Sequence, residues 1–137
     1  MPNYRIVYKI DDFAHMIEVK APDKETAMKN SLELGGKIIH VDQERILCPA
    51  IHYENSTIGY QKRPRNIARG LVLCGYRHDR IIAMYHGLTG NNTKSSDVQG
   101  FLTSFEMFVT REDAAQIAFD AGQIPELVKQ LYSEDLY

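Results

Sequence analysis

Two arginines beside predicted helix starts are the residues of this sequence best suited to chemistry. Arg77 lies in the segment YRHDRII, directly before a predicted helix, and Arg111 opens a second helix after Thr110. Main-chain amides at a helix N-terminus and a nearby guanidinium both donate directed hydrogen bonds to an anion, so each place suits a phosphate group. An ion pair of Arg77 with Asp79 or Asp97 explains the first segment equally well.

The other candidate residues each have a structural alternative. Arg111 opposes the dipole of its helix, a local cost that a ligand or an ion pair with Glu112 or Asp113 would offset. Phe101 follows a polar loop, where its ring could stack on a purine for roughly 1–3 kcal/mol per stacked base, or pack in the core. His78 is interpreted as a capping or core histidine rather than a titrating group.

Catalytic and metal-binding patterns are missing from the sequence. None of the common nucleotide-binding, hydrolase or metalloprotease motifs occurs, and the five histidines never fall four residues apart. The two cysteines, Cys48 and Cys74, lack the spacing of a zinc or redox motif and indicate a reducing compartment. The sequence therefore predicts a protein that is not an enzyme and needs no cofactor or metal, although a nucleophile and a base distant in sequence could still meet.

Length and composition predict one compact cytoplasmic domain. A chain of 137 residues with 44% hydrophobic and 25% charged residues can bury a core without a disulfide or metal. Its net charge of -2 argues against binding to duplex nucleic acid through bulk charge. No apolar run approaches the roughly 18–20 residues that cross a bilayer, and the N-terminus resembles no targeting segment.

Hydrophobic periodicity predicts an α+β fold whose N-terminal ββα unit carries an antiparallel sheet. Alternation indicates strands over residues 4–10 and 15–19, and Asp23 caps a helix that ends at Gly35-Gly36. Two further strands, over 37–41 and 45–51, complete the first part, and Pro49 marks the second as an edge strand or a bulge. Residues 52–69 form a polar loop that contains Lys62, Arg63, Arg65 and Arg69.

The second half, residues 70–137, reads as strand, helix, hairpin and helix. The apolar run GLVLC predicts a strand buried on both faces, and a helix capped by Asp79 follows and ends at Gly90. Residues 89–100 form a loop, a short hairpin spans 101–109, Thr110 caps the next helix, and Pro125 opens a last short one. The closing segment LYSEDLY is too apolar for a free tail and is expected to dock on its own domain or on a partner.

The second half resembles a family of phage proteins that defeat Thoeris immunity by sequestering its nucleotide signal. The resemblance rests on four segments, GLVLCGYRHDRII, QGFLTS, FVTREDAAQIAFDAGQI and LYSEDLY. It implies a noncatalytic α+β protein that assembles as a homo-oligomer and buries glycocyclic ADP-ribose between protomers. Some members of the family also hold cyclic di- or trinucleotides at a separate site.

The resemblance also implies a set of ligand-binding residues: Arg77, His78, Phe101, Thr103, Arg111 and Lys129. Arg77 would contact a phosphate, Phe101 would stack on adenine, and Arg111 would contact the ligand from the helix start. The family has a basic residue directly before LYSEDLY, whereas here Gln130 separates Lys129 from that segment. A nucleotide-processing hydrolase and a protein-binding inhibitor of a host factor remain the alternative functions.

Overall fold

The computed structural model describes residues 1–58 and 62–137, and these form two compact units, Met1–Glu44 and Arg45–Tyr137. Each unit contains an antiparallel sheet and helices, so the predicted α+β class is confirmed. Part of the predicted basic loop, residues 59–61, lies outside the described residues. The division between the units falls after Glu44, seven residues earlier than the sequence placed the end of the first part.

The first unit is a three-stranded sheet with one helix. Its strands are β1 (Asn3–Ile10), β2 (Phe13–Lys20) and β3 (Lys37–Gln43), ordered β2-β1-β3, and its helix is α1 (Lys24–Asn30). The alternation in β1 buries Tyr4 and Ile6 beside Ala27 of the helix. Asp11 takes a left-handed conformation with φ 53° in the tight turn between β1 and β2, a conformation that aspartate tolerates.

Helix α1 starts where the sequence predicts and ends early. The Asp23 carboxylate accepts a hydrogen bond of 2.7 Å from the Thr26 amide, the predicted cap. The Ser31 hydroxyl donates to the Ala27 carbonyl at 2.8 Å, and the chain then tightens into a 3-10 turn over Leu32–Leu34. Gly35, with φ 73°, closes that turn rather than the helix itself.

The second unit is built on a four-stranded sheet with an order that the sequence did not predict. Its strands are β4 (Ile46–Tyr53), β5 (Leu71–Cys74), β6 (Val98–Thr103) and β7 (Phe108–Thr110), ordered β5-β4-β6-β7. Strand β4 is therefore interior, so the expectation of an edge strand was wrong. The alternative expectation of a bulge is confirmed, because the register shifts between Ile46 and Cys48 beside Pro49.

Strand β5 is less buried than its apolar run predicts. Among the described strands it pairs only with β4, and its residues change from buried Leu71 to exposed Cys74. Helix packing covers one face of this strand, where Leu71 and Leu73 meet Ile81. The prediction of burial on both faces was wrong because residue types alone do not show that a strand ends the sheet.

Three helices complete the unit, α2 (His78–Thr89), α3 (Arg111–Asp120) and α4 (Ser133–Leu136). Thr110 caps α3 through the Asp113 amide at 3.3 Å, as predicted. Arg77, not Asp79, occupies the N-cap position of α2, and no side chain caps that end. The predicted helix at Pro125 does not form; the last helix lies further on, where Asp135 accepts a hydrogen bond from the Tyr132 amide.

The described part of the basic loop is fastened to the sheet by side chains. The Asn66 amide group both donates to the Phe108 carbonyl at 2.7 Å and accepts from the Phe108 amide at 2.9 Å. The Arg65 guanidinium donates to the Phe105 carbonyl at 2.9 Å. These bonds to an adjacent hairpin hold residues 62–70 against the sheet without regular secondary structure of their own.

The core of the second unit has two clusters. One lies under α2; the other lies under α3, where Phe101 packs with Ala114, Ala115 and Ala118. The three alanines let α3 approach closely, and the Phe101 ring is 0% exposed. In the folded chain a ligand base cannot reach this ring, so the expected stacking role of Phe101 is contradicted and core packing, its alternative, is confirmed.

Replacing Phe101 with alanine should therefore destabilise the fold. A buried phenylalanine truncated to alanine costs about 3–5 kcal/mol, through lost burial and the cavity that remains. Urea unfolding of Phe101→Ala should show this loss in the free energy of unfolding, while the control Phe119→Ala on α3, whose ring is 37% exposed, should lose much less. Equal effects in the two variants would contradict the assignment of Phe101 to the core.

Candidate functional site

The C-terminal segment, residues 131–137, docks on its own unit. Leu131 is fully buried in the cluster under α3, and Leu136 packs against the same cluster. The Leu131 amide donates to the Arg111 carbonyl at 2.9 Å. The segment docks on its own domain, one of the two expected outcomes, and this accounts for its two leucines, whereas its two tyrosines stay about half exposed.

Arg111 holds the start of this segment. Its guanidinium donates to the Leu131 carbonyl at 2.9 Å and to the Gln99 side-chain oxygen at 2.8 Å. Its Cζ lies 4.6 Å from the centre of the Tyr132 ring, a cation–π contact. Burial lowers the pKa of Arg111, with Tyr132 and Glu134 acting in the opposite direction, but an arginine remains charged at neutral pH. These contacts, rather than an ion pair with the helix's own acids, offset its position against the dipole.

Arg77 holds the other end of the segment. One guanidinium nitrogen, Nη2, donates to the main-chain oxygen of Tyr137, and the group lies 4.8 Å and 5.1 Å from the ring centres of Tyr76 and Tyr137. These two rings stack at 4.9 Å, and the Tyr137 hydroxyl donates to the Tyr76 carbonyl at 3.1 Å. Within residues 1–58 and 62–137, Arg77 forms no ion pair with Asp79 or Asp97.

The second terminal nitrogen of Arg77 is the feature that points to a ligand. Nη1 is buried, and no acceptor among the described residues lies within hydrogen-bond distance of it. A buried donor without an acceptor costs about 1–3 kcal/mol, so such a group in a folded protein calls for an explanation. Because this nitrogen has almost no accessible surface, an acceptor from outside can reach it only after neighbouring side chains move.

His78 and Thr103 have structural roles. The Nε2 of His78 donates to the Gly100 carbonyl at 2.8 Å, and its ring meets the Phe101 ring edge-on with centres 5.1 Å apart. His78 is buried, which confirms the interpretation as a core histidine, and burial lowers its pKa. The buried Thr103 hydroxyl accepts hydrogen bonds from the Phe105 and Met107 amides in the β6–β7 turn.

The structure thus brings two of the six expected site residues together around the C-terminal segment. Arg77 and Arg111 hold its two ends, while His78, Phe101 and Thr103 are buried and Lys129 is exposed before the segment begins. Sequence reasoning missed Gln99, which orients the Arg111 guanidinium. Gln99 lies on β6 and Arg111 begins α3, so the contact depends on how these two elements pack. It also missed the roles of the tyrosine rings: Tyr76 adjoins Arg77 in the sequence, whereas Tyr132 and Tyr137 are distant from the arginines that they contact.

A polar cavity of about 510 Å³ lies elsewhere in the unit, near the C-terminal end of α2. The stacked rings of Tyr53 and Tyr85 lie at its wall, with centres 3.8 Å apart, and amide and hydroxyl side chains supply much of the remainder. Among the described residues lining it, Lys94 is the one cation. The paired arginines therefore suit an anion better than this cavity does.

No three metal-ligating side chains come together as a metal site within the described ranges. Over the same residues, no helix has the length and apolar character needed to span a membrane.

The fold and the site define a small α+β protein whose two arginines clamp its own C-terminal segment beside an unsatisfied donor. A family model described as phage T4 y16D protein matches residues 45–137, so the chain belongs to that family of phage proteins. The match coincides with the second unit and includes both arginines. Neither the curated proteins nor the solved structures contain a significant match.

The lowered pKa of His78 predicts how stability depends on pH. Because the folded-state pKa lies below the ordinary value of 6.5, the unfolded chain binds the proton more readily, and stability falls as the pH drops below that value. In urea unfolding between about pH 7 and about pH 5, His78→Gln should show a smaller loss of stability than the parent. The control His86→Gln, at an exposed position of the same helix, should retain the parent's pH dependence. If the free energy of unfolding of His78→Gln changed with pH as in the parent, the assignment of this effect to His78 would be contradicted.

Proposed function

We propose that this protein binds a cyclic nucleotide immune signal such as glycocyclic ADP-ribose and sequesters it without cleaving it, in the cytoplasm of the infected cell. The observation that carries the proposal is the Nη1 donor of Arg77, which no described acceptor satisfies and which a ligand would reach once the side chains that cover it move. Two tyrosine rings lie against the same guanidinium. A phosphate oxygen is the acceptor that matches this donor in charge and geometry.

Arg111 supports a second contact to the same class of ligand. Its bonds to Leu131 and Gln99 fix the guanidinium plane, and the group carries more N–H donors than these two bonds use. Fixing a long side chain before binding reduces the entropy that a ligand must overcome. Two oriented guanidinium groups therefore favour a ligand with more than one phosphate oxygen to offer.

Exposed tyrosine rings can replace the buried Phe101 as the surface for a base. Tyr76 is 57% exposed, Tyr132 is 49% exposed and Tyr137 is 46% exposed, and each lies against one of the two arginines. A base stacked on an aromatic side chain contributes roughly 1–3 kcal/mol. An adenine nucleotide presents a flat base and a phosphate. The tyrosine rings can contact the base, and the guanidinium groups can contact the phosphate.

Tight capture requires more enclosure than one such surface provides. Nanomolar affinity corresponds to about -12 kcal/mol, whereas a charge-assisted hydrogen bond contributes roughly 1.5–3 kcal/mol. The proposal therefore includes a homo-oligomer in which a second copy covers the ligand, as the resemblance implies. Cyclic di- and trinucleotides belong to the same ligand class and are included in it.

Recovery of the ligand tests sequestration. The purified protein is incubated with glycocyclic ADP-ribose, freed of unbound nucleotide, denatured by heat and analysed by mass spectrometry. We expect the nucleotide to be released unchanged, and light scattering of the complex to give a mass above the 15.7 kDa of one chain. A chemically altered product would support the hydrolase instead, and failure to bind any cyclic nucleotide while capturing a host protein would support the inhibitor.

Substitution of the arginines tests the site. Arg77→Ala and Arg111→Ala should each weaken binding in calorimetry by roughly 1.5–3 kcal/mol per lost charge-assisted bond, which is about tenfold or more in Kd. Arg80→Ala is the matched control, since Arg80 is an exposed arginine on α2 just past its N-terminus.

Melting temperatures separate binding from folding in these variants. Arg111→Lys serves where Arg111→Ala unfolds, because lysine keeps the charge but lacks the paired donors that hold Leu131 and Gln99. Parental affinity in folded Arg77→Ala and in a folded Arg111 variant would contradict the phosphate site.

A further inference from the structure

Two thiols lie side by side on the sheet face that points away from α2. Cys74 of β5 pairs with Ala50 of β4, and Cys48 lies two residues before Ala50, on the same face of the sheet. The helix covers the opposite face, which carries Ile51 and Tyr53. Each thiol shifts the pKa of the other, which requires that the two side chains lie close together.

The two thiols differ in exposure and protonation. Cys74 is exposed, whereas Cys48 is half-buried. The hydrogen bond from Cys48 lowers the pKa of the Cys74 thiol to about 6, and the same bond, with burial, raises the pKa of Cys48. Cys74 is therefore both the more exposed thiol and the one whose lowered pKa favours the thiolate, which is the reactive form of cysteine.

A cavity of about 720 Å³ opens beside the Cys74 sulfur. Its apolar wall comes from Leu47, Val72 and Leu102 of the sheet. Lys62 and Arg63 from the basic segment line it together with Glu106, so two positive charges offset the negative charges of Glu106 and of a Cys74 thiolate. These two cations are the groups that would attract the carboxylates of an anionic reagent.

We propose that Cys74 and Cys48 form a thiol–disulfide exchange site for a small anionic disulfide of the glutathione type, with Cys74 as the attacking thiol and Cys48 as the resolving thiol. This site is independent of the proposed nucleotide binding. It gives a role to the cysteine pair and to the basic segment, neither of which the arginine site uses.

The exchange proceeds in two balanced steps. The Cys74 thiolate attacks one sulfur of oxidised glutathione, forms a mixed disulfide and releases one glutathione thiolate. Cys48 then gives up its proton to solvent and attacks the Cys74 sulfur, which releases the second glutathione. The two protein thiols are oxidised to one disulfide, and one molecule of oxidised glutathione is reduced to two thiols.

Intact-mass measurement of the reduced full chain distinguishes these steps. After incubation with oxidised glutathione and an acid quench, the parent should lose the mass of two hydrogen atoms. Cys48→Ser should stop at the mixed disulfide and gain one glutathionyl group, and Cys74→Ser should remain unmodified over the same period. Near-parental melting temperatures establish that both serine variants are folded.

Three results would overturn the proposal: a parent that stays reduced, a parent that retains the glutathionyl group, or Cys74→Ser that reacts as fast as the parent. To test the charge preference, the rate of the protein's reaction is measured with oxidised glutathione and with the cationic disulfide cystamine. Each rate is divided by the rate at which the uncharged thiol mercaptoethanol attacks the same disulfide. The normalised rate with oxidised glutathione should exceed that with cystamine several-fold at low salt. This ratio should be smaller at high salt and smaller in Lys62→Gln. Equal or reversed preference in the parent would overturn the anionic class of reagent.

Discussion

The hydrogen bonds of two guanidinium groups to the C-terminal segment are the interaction on which the packing of the second unit's core depends. Arg111 fixes the Leu131 carbonyl and Arg77 the main-chain oxygen of Tyr137, and between these points Leu131 fills the cluster under α3. Charge-assisted hydrogen bonds to main-chain oxygens thus complete a core that the sheet and α3 leave open. The same two groups form the candidate anion site, so core and site are built from one set of contacts.

This shared construction constrains how a ligand can bind. A phosphate that engages Arg77 meets a guanidinium whose Nη2 is already bonded to Tyr137, while Nη1 is unsatisfied. Because Nη1 is buried, the proposed ligand can bond to it only after the side chains that cover it move. The stacked rings of Tyr76 and Tyr137 lie against the same guanidinium and restrict its orientation.

Several local features were predictable from the sequence, although the cap at Asp79 and the helix at Pro125 were wrong, and pairings between distant segments were not predictable. The caps Asp23 and Thr110 and the alternation of β1 depend on neighbours within a few residues, and all three are confirmed. The interior position of β4 and the burial of Phe101 depend on strands and a helix about fifty and ten residues away, which no local pattern encodes. For the site, the sequence identified both arginines as positions for directed donors. It did not identify the main-chain oxygens that fix them, because Leu131 and Tyr137 are distant from these arginines in the sequence.

The two tyrosine stacks give this protein a spectroscopic property. The chain contains no tryptophan, so tyrosine accounts for most of its near-ultraviolet signal. One stack, Tyr53 with Tyr85, belongs to the core, and the other, Tyr76 with Tyr137, lies against Arg77. Near-ultraviolet circular dichroism depends on fixed aromatic packing, so a single unlabelled spectrum carries one contribution from the core and another from the surroundings of Arg77.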